Sequence, residues 1–423
     1  MTVSSLRGTL DFAGSVMTLA SGQLLAMAVP ILAAPILGRL YLPAEYGAFA
    51  LYVASASVLA VFATLQLQHA IIAARSERVA VQLAQLCIVI SLVVSVTGAA
   101  IVGFAPLLLE RAWTFSTPLG WIYLLPISVL FLGLASSIAP LANRRGRYRE
   151  IAGIQVLIAV TAVLVAIQGG RSGWGASGLL AGQIAGQFVG AVSYLLIYRY
   201  LSKGVQAADT ARMKVLFLRY RGFPFFTLPS ELLGIASQQL PIFALNLLSA
   251  TALAGSFSRA FQLVVAPITL IGMAVGQVFR QKASEDYRQY GTCAPIFRRT
   301  ALMLLSVGLP SCVVFLVFAP EIFALYLGPN WYQAGEVARI LAPMVLLRLV
   351  SSPLSAVFFF TEAQRNDAAV MLGAFCLCVS LIVAGVITFD DPMAVIFGFS
   401  IAYCLVYLVQ FVWSYRLARG KAG

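Results

Sequence analysis

Three arginines lie inside stretches that are otherwise apolar: Arg259, Arg339 and Arg348. A guanidinium group is planar, stays charged and offers five N–H donors in a fork, so it suits a phosphate or carboxylate gripped through two oxygens. At about 1.5 Å per residue, Arg259 falls roughly 12 Å and Arg348 roughly 18 Å into their stretches. Arg339 is nine residues from Arg348, on the opposite side of a helix. It is also near enough to the end of its stretch to reach an interface along its aliphatic stem, which favours Arg348 as the deeper cation.

Other polar residues share these stretches. Gln238 follows Glu231 by seven residues and returns to nearly the same helix face, with Asn246 close by on the wheel. Gln277 follows Arg259 by eighteen residues, five full turns, and is expected on the same face. Gln23 precedes Pro30 and Pro35, which remove backbone hydrogen bonds and permit a bend or gate. The pattern predicts that Arg259 and Arg348, with Gln238, Gln277 and Gln23, hold an anionic ligand. The other reading of either arginine is a tie to Glu231 or to a carbonyl, as glue between helices. Glu231 is the candidate for taking up and releasing a proton. His69, the only histidine, sits in "LQLQHA" with no Cys or His partner nearby, so no metal site is expected there. It is expected to hydrogen-bond a neighbouring helix or to relay protons.

Catalytic signatures are missing. The sequence has no G-x-x-x-x-G-K-[ST], no H-E-x-x-H and no pair of carboxylates in a sizeable loop. "GGRSGWGASG" (169–178) is Gly-rich but follows no strand and reads as a turn. No enzyme activity and no cofactor are expected, so any driving force would come from an ion gradient, the membrane potential or the gradient of a cargo.

The elements that must position these residues follow from composition. Of 423 residues, 61% are hydrophobic and 10% charged, where an ordinary globular chain carries about 25% charge. Mean hydropathy is +0.93. A water-soluble enzyme and a disordered chain are excluded, and the six cysteines lie mostly within apolar runs, which excludes a disulfide-stapled secreted domain. A bilayer core takes roughly 20 apolar residues per helix. Twelve stretches qualify, at 12–37, 46–72, 80–109, 119–141, 151–168, 176–201, 223–248, 251–278, 300–327, 336–360, 368–389 and 392–413. The first is too long for a cleavable signal and is expected to be retained. The fold class is therefore an all-α polytopic membrane protein.

Of the 28 Lys and Arg residues, 22 fall in the connections after even-numbered stretches or in the tails. Only Arg39, Arg111 and Arg171 lie in the opposite connections. That asymmetry places both termini in the cytoplasm. The net charge of +13 is thereby a matter of topology, with loops such as "NRRGRYRE" (143–150) over anionic membrane lipids, and not of nucleic-acid binding.

The basic stretch 202–222, which includes "TARMKVLFLRYRG", reads as a short interfacial helix dividing two six-helix bundles, 1–201 and 223–423. A faint echo accompanies the cut: "ASGQLL" (20–25) against "ASQQLP" (236–241), and "YGAF" (46–49) against "AGSF" (254–257). Parallel repeats of this kind are expected to frame a cleft lined by the first, second, seventh and eighth stretches, opened to alternate sides by rocking.

Three blocks carry a resemblance: "RLYLPAEYGAFALY" (39–52), "QQLPIFALNLLSATALAGSFSRAFQLVVAPITLIGMAVGQVFRQKASE" (238–285) and "LGPNWYQAGEVARILAPMVLLRLVSSPLSAVFF" (327–359). They resemble the polysaccharide-biosynthesis, or Wzx-like oligosaccharide flippase, family of the multidrug/oligosaccharidyl-lipid/polysaccharide (MOP) exporter superfamily. The resemblance implies a MATE/MOP flippase-like architecture in a bacterial inner membrane. It implies a flippase carrying undecaprenyl-pyrophosphate-linked oligosaccharide between leaflets by alternating access through a cationic cavity. A polysaccharide polymerase and chain-length machinery would be its partners in surface polysaccharide assembly. Arg259 and Arg348 lie inside the matched blocks, and the pyrophosphate supplies a reason for buried positive charge. Two rivals are a cation-coupled multidrug exporter, which calls for an acidic cavity, and a membrane-embedded polymerase, which calls for a larger outer loop.

Overall fold

The computed structural model describes residues 3–104, 119–206, 208–360 and 364–420. Arg111 and Lys421 of the charge tally lie outside them. Among the described residues the regular structure is helical. In chain order, α1 is Val3–Leu40, α2 Pro43–Ala60, α3 Gln68–Ala73, α4 Glu77–Phe104, α5 Leu125–Arg144, α6 Tyr148–Arg171 and α7 Ala176–Leu201. Then come α8 Thr210–Arg219, α9 Leu228–Leu247, α10 Thr251–Tyr290, α11 Ala294–Leu327, α12 Tyr332–Leu354, α13 Val357–Phe360, α14 Gln364–Phe389 and α15 Met393–Ala418.

Ten helices among the described residues are long and apolar enough to cross a membrane, against the twelve expected. Of the two remaining stretches, 46–72 is broken, and 223–248 holds a continuous helix, Leu228–Leu247, whose Glu231, Gln238, Gln239 and Asn246 make it less apolar than the other ten. The first breaks after Ala60: residues 61–67 form turns, with Leu65 and Gln66 left-handed at φ of 48° and 61°. Side chains supply bonds that the broken ladder loses. Gln66 Nε2 donates to the Val61 carbonyl at 3.3 Å and Ser91 Oγ to the Ala63 carbonyl at 2.8 Å. The second opens as a π-helical turn, Phe223–Thr227, before α9. Pro30 and Pro35, which permit a bend in the first helix, both lie inside α1. The connection expected at 279–299 is mostly helix, because α10 runs to Tyr290 and stops at Gly291, whose φ of 69° suits glycine.

The chain forms two compact units. One comprises residues up to Tyr41 with Leu51–Leu232, the other Leu42–Ala50 with Leu233–Gly423. The stretch 202–222 belongs to the first. Asp209 caps α8 by accepting from the Arg212 amide at 2.9 Å. The helix then docks: the Ala208 amide donates to Gln85 Oε1, Arg212 Nε to Gln82 Oε1, and Leu216 enters an apolar cluster with Leu83, Ile71 and Leu201.

Within the first unit, Gly178, Gly182, Gly186 and Gly190 recur every four residues along one face of α7. A Cβ at Gly182 would come within 2.4 Å of the Ala162 carbonyl oxygen and one at Gly186 within 2.9 Å of that of Ile158, so α6 and α7 meet backbone to backbone. Within the second unit, α12 is the central helix, its Leu341, Met344, Val345, Leu349 and Val350 buried. Ser351 Oγ donates to the Tyr407 carbonyl at 2.7 Å and Ser400 Oγ to the Ile340 carbonyl at 2.8 Å, riveting α12 to α15.

The starts of α2 and α10 meet in the second unit. A Cβ at Gly47 would lie 1.8 Å from the Thr251 carbonyl oxygen, and one at Gly255 would lie 1.9 Å from that of Pro43. Thr251 follows Pro43 by 208 residues, as Gly255 follows Gly47, so the contact is reciprocal, with a local two-fold. "YGAF" and "AGSF" stand in this register. The other echo, "ASGQLL" with "ASQQLP", is offset by 216 and lies out of it.

Candidate functional site

Arg259 comes four residues after Gly255, on the face of α10 that meets the Leu42–Ala50 segment. Its guanidinium is enclosed there, with 4% of the residue exposed. The Tyr46 ring lies against it, with the guanidinium carbon 4.2 Å from the ring centre, and Nη2 donates to the Tyr46 hydroxyl. Nη1 donates to Gln262 Oε1 at 2.9 Å. Trp331, wholly buried, meets the Tyr46 ring edge-on at 5.2 Å. This is the geometry of a tie between helices. The partner is the Tyr46 side chain, in place of the Glu231 or carbonyl expected from the sequence.

Arg348 is different. It is half-buried on α12, beside the Tyr407 hydroxyl, and Tyr403 one turn earlier on α15 lies beside Ser237 of α9. The Tyr403 and Tyr407 rings are 5.7 Å apart at 46°. Three helices of the second unit thus bring a guanidinium, two phenols and a serine together. Such a set can grip an anion with the guanidinium fork and hydrogen-bond neighbouring hydroxyl groups. Ser237 Oγ is itself occupied, donating to the Leu233 carbonyl at 2.7 Å. The Ser351 and Ser400 bonds hold α12 against α15, so the cluster is mounted on a rigid pair of helices.

The other expected site residues fall in both units. Gln23, Glu231, Gln238 and Gln277 are exposed. Arg259 and Gln277 were expected to share a face, yet one is enclosed and the other open, because packing covers the first turns of α10 and Pro267 interrupts its ladder between them. Asn246, the third member of the stripe, is buried and donates from Nδ2 to the Ile242 carbonyl at 2.8 Å. Arg339, expected to reach for an interface, donates to the Val317 carbonyl of α11 at 3.1 Å. Glu231 belongs to the first unit, Arg259 and Arg348 to the second.

His69 is exposed at the start of α3. Its Nε2 lies 3.2 Å from Gln66 Oε1, which also accepts from Gln68 Nε2 at 3.0 Å, and its ring stacks on Phe223 with 6.3 Å between centres. The histidine therefore edges the polar turn that breaks the second apolar stretch.

Several loop arginines expected over lipid headgroups are bound to protein. Glu77 accepts from Arg144 Nε at 2.7 Å and Arg145 Nε at 3.0 Å, while Arg144 Nη1 also donates to the Ile72 carbonyl at 2.8 Å. Arg147 pairs with Glu150 and lies 4.6 Å from the Tyr200 ring centre. The Glu150 carboxylate beside it raises the Arg147 pKa.

Tyr46, Tyr403 and Tyr407 are site residues that the sequence pattern does not single out. Tyr46 carried a signal, its place in the repeated "YGAF" block. The tyrosine pair carried its helical spacing of four and nothing that linked it to Arg348.

The profile of a family described as polysaccharide biosynthesis protein matches residues 36–336. Among solved structures, the chain is similar to the lipid II flippase MurJ in an inward closed conformation, at a TM-score of 0.77 and 11% identity, covering 95% of this chain and 87% of that one. It is also similar to an inward-facing multidrug resistance MATE transporter of the MOP superfamily, at 0.67 and 17%, covering 93% and 94%. The outward-facing conformation of a MATE family transporter matches at 0.64 and 16%, covering 96% and 95%. At these identities the likeness is one of fold. No curated protein matches the chain.

Proposed function

The chain belongs to the polysaccharide biosynthesis protein family, and on that premise we propose that it is a flippase moving polyprenyl-pyrophosphate-linked oligosaccharide across a bacterial inner membrane by alternating access. Its fold is that of MOP-superfamily transporters and flippases. The observation that supports the reading is Arg348, a half-buried cation within a membrane-spanning helix, flanked by phenols. A charge at such depth costs about 2.5–3.5 kcal/mol on insertion scales, a cost that an anionic headgroup offsets when it arrives. The pyrophosphate takes the Arg348 fork, the Tyr403 and Tyr407 hydroxyls meet sugar hydroxyls, and the polyprenyl tail stays in lipid.

Arg259 has a supporting part, holding the start of α10 against Tyr46. Glu231 and His69, both exposed in the first unit, are the groups that would exchange protons with the aqueous phase and couple the cycle to a gradient. No covalent step is involved; polymerisation falls to a separate enzyme that consumes the flipped unit. In this reading the termini face the cytoplasm, which the asymmetry of the loop charges supports.

The test is leaflet exchange. Purified protein in vesicles containing a fluorescent polyprenyl-pyrophosphate glycan should speed the loss of label from the inner leaflet over protein-free vesicles. Absence of exchange together with efflux of organic cations would move the assignment to the multidrug branch. Glu231→Gln should abolish acceleration by an imposed pH gradient; unchanged acceleration removes Glu231 from coupling.

A further inference from the structure

Two arginines converge on one phenol at the end of the last helix. The Tyr415 hydroxyl oxygen accepts from Arg298 Nε at 2.7 Å and from Arg419 Nη2 at 3.2 Å. The two donor nitrogens are thus no more than about 6 Å apart, within the range at which like charges repel. Both guanidinium groups also lie over the Tyr415 ring, at 5.5 and 4.7 Å from its centre.

The arrangement is mounted rigidly. The Cys293 amide and the Thr292 hydroxyl both donate to the Ala418 carbonyl, at 2.8 and 3.0 Å, which pins the start of α11 to the end of α15. The Phe297 ring, itself fully buried, lies 5.5 Å from that of Tyr415.

Among the described residues this pair of cations has no acidic partner at ion-pair distance, with no carboxylate within 4.0 Å of Arg298 or Arg419. In the first unit, surface arginines have one: Glu77 for Arg144 and Arg145, Glu150 for Arg147. Burial, and after it Asp286 on α10, raises the Cys293 thiol, beside which that carboxylate stands. The opening turn of α11 holds no acidic residue and is followed by Arg298 and Arg299, so the helix dipole adds to the positive field. Each guanidinium uses one of its five N–H donors on Tyr415, and a phenol that accepts two bonds still has its own proton to donate.

The geometry points to a phosphate site formed by Arg298, Arg419 and Tyr415, in which a phosphate monoester or diester takes the remaining guanidinium donors and the phenolic proton. Both arginines are exposed, and they sit where two membrane-spanning helices begin and end, the level of lipid headgroups. The phosphate can belong to an anionic phospholipid or be free in solution. The site goes beyond the flippase reading and does not depend on what the chain carries.

The full chain in detergent is titrated with short-chain phosphatidylglycerol, short-chain phosphatidylcholine and inorganic phosphate, with bound ligand counted by native mass spectrometry and stability followed by thermal unfolding. Phosphatidylglycerol should bind saturably and raise the unfolding midpoint, at least tenfold tighter than phosphatidylcholine. Arg298→Gln and Arg419→Gln, each made singly at an exposed position, should each weaken it tenfold or more. Arg298→Lys combined with Arg419→Lys should keep the charge but bind several-fold more weakly than the native forks. If inorganic phosphate competes at millimolar concentration, the phosphate alone is read; if it does not, the lipid is the source. Equal binding of the two lipids, or binding unchanged in both glutamine variants, overturns the site.

Discussion

Arg259 lies face-on to the ring of Tyr46, its guanidinium carbon 4.2 Å from the ring centre, across 213 residues of sequence. The first turns of α2 are thereby built into the same unit as α10, although the rest of α2 belongs to the other unit. With no carboxylate at ion-pair distance among the described residues, this desolvated cation relies on the face of the ring, the phenol oxygen and Gln262, and losing the phenol leaves a donor short of a partner.

The pair should therefore behave as one energetic element. Tyr46→Phe keeps the ring and removes the acceptor, and should destabilise by about 1–3 kcal/mol, the cost of an unmet buried donor. In an Arg259→Met background the same change should cost well under about 1 kcal/mol, since no guanidinium remains to satisfy. Thermal unfolding of the four proteins in one detergent closes the cycle. Additive effects would mean that the two side chains are neighbours without coupling.

Gly47 offers a steric prediction with a built-in control. A methyl group there would stand 1.8 Å from the Thr251 carbonyl oxygen, so Gly47→Ala must push the starts of α2 and α10 apart. We expect a loss of about 1–3 kcal/mol, as for overpacking elsewhere. At Gly234, inside α9, a methyl group would meet nothing within 4 Å, and Gly234→Ala should be neutral or stabilising by up to about 1 kcal/mol. Equal unfolding midpoints for the two variants would contradict the close approach.

Cys293 gives a pH prediction. Burial, reinforced by Asp286, pushes its thiol up to about 11. A raised thiol pKa means less thiolate at any pH below it, so reaction with a maleimide should be slow at neutral pH and climb about tenfold per pH unit until near that value. The measurement uses a variant retaining Cys293 as its only cysteine. A labelling rate that levels off near pH 8.5 to 9, as for an ordinary thiol, would contradict the enclosed setting.

How far these features were legible in the sequence depends on their range. The helices at 151–168 and 176–201 announce themselves by unbroken apolar runs, and α6 and α7 follow them closely. The break at 61–67 does not, because Leu65 and Gln66 take left-handed backbone without a glycine or proline to signal it. The two deep arginines were identifiable from the cost of placing charge in an apolar run. Their different fates were not, since Tyr46 reaches Arg259 from a distant segment and Tyr407 reaches Arg348 from another helix. The echo of "YGAF" in "AGSF" was visible, and its physical meaning, two glycines that let helix starts seat on one another, needed the fold.

The central claim is that Arg348 meets the anionic headgroup, and leaflet exchange of the fluorescent polyprenyl-pyrophosphate glycan tests it most directly. Native protein, Arg348→Lys and Arg348→Ala are compared at equal amounts of folded protein. The account predicts that the alanine variant loses tenfold or more of the exchange rate, with the lysine variant between it and the native protein, because a point charge replaces only part of a bidentate fork. Exchange at the native rate in Arg348→Ala would contradict it.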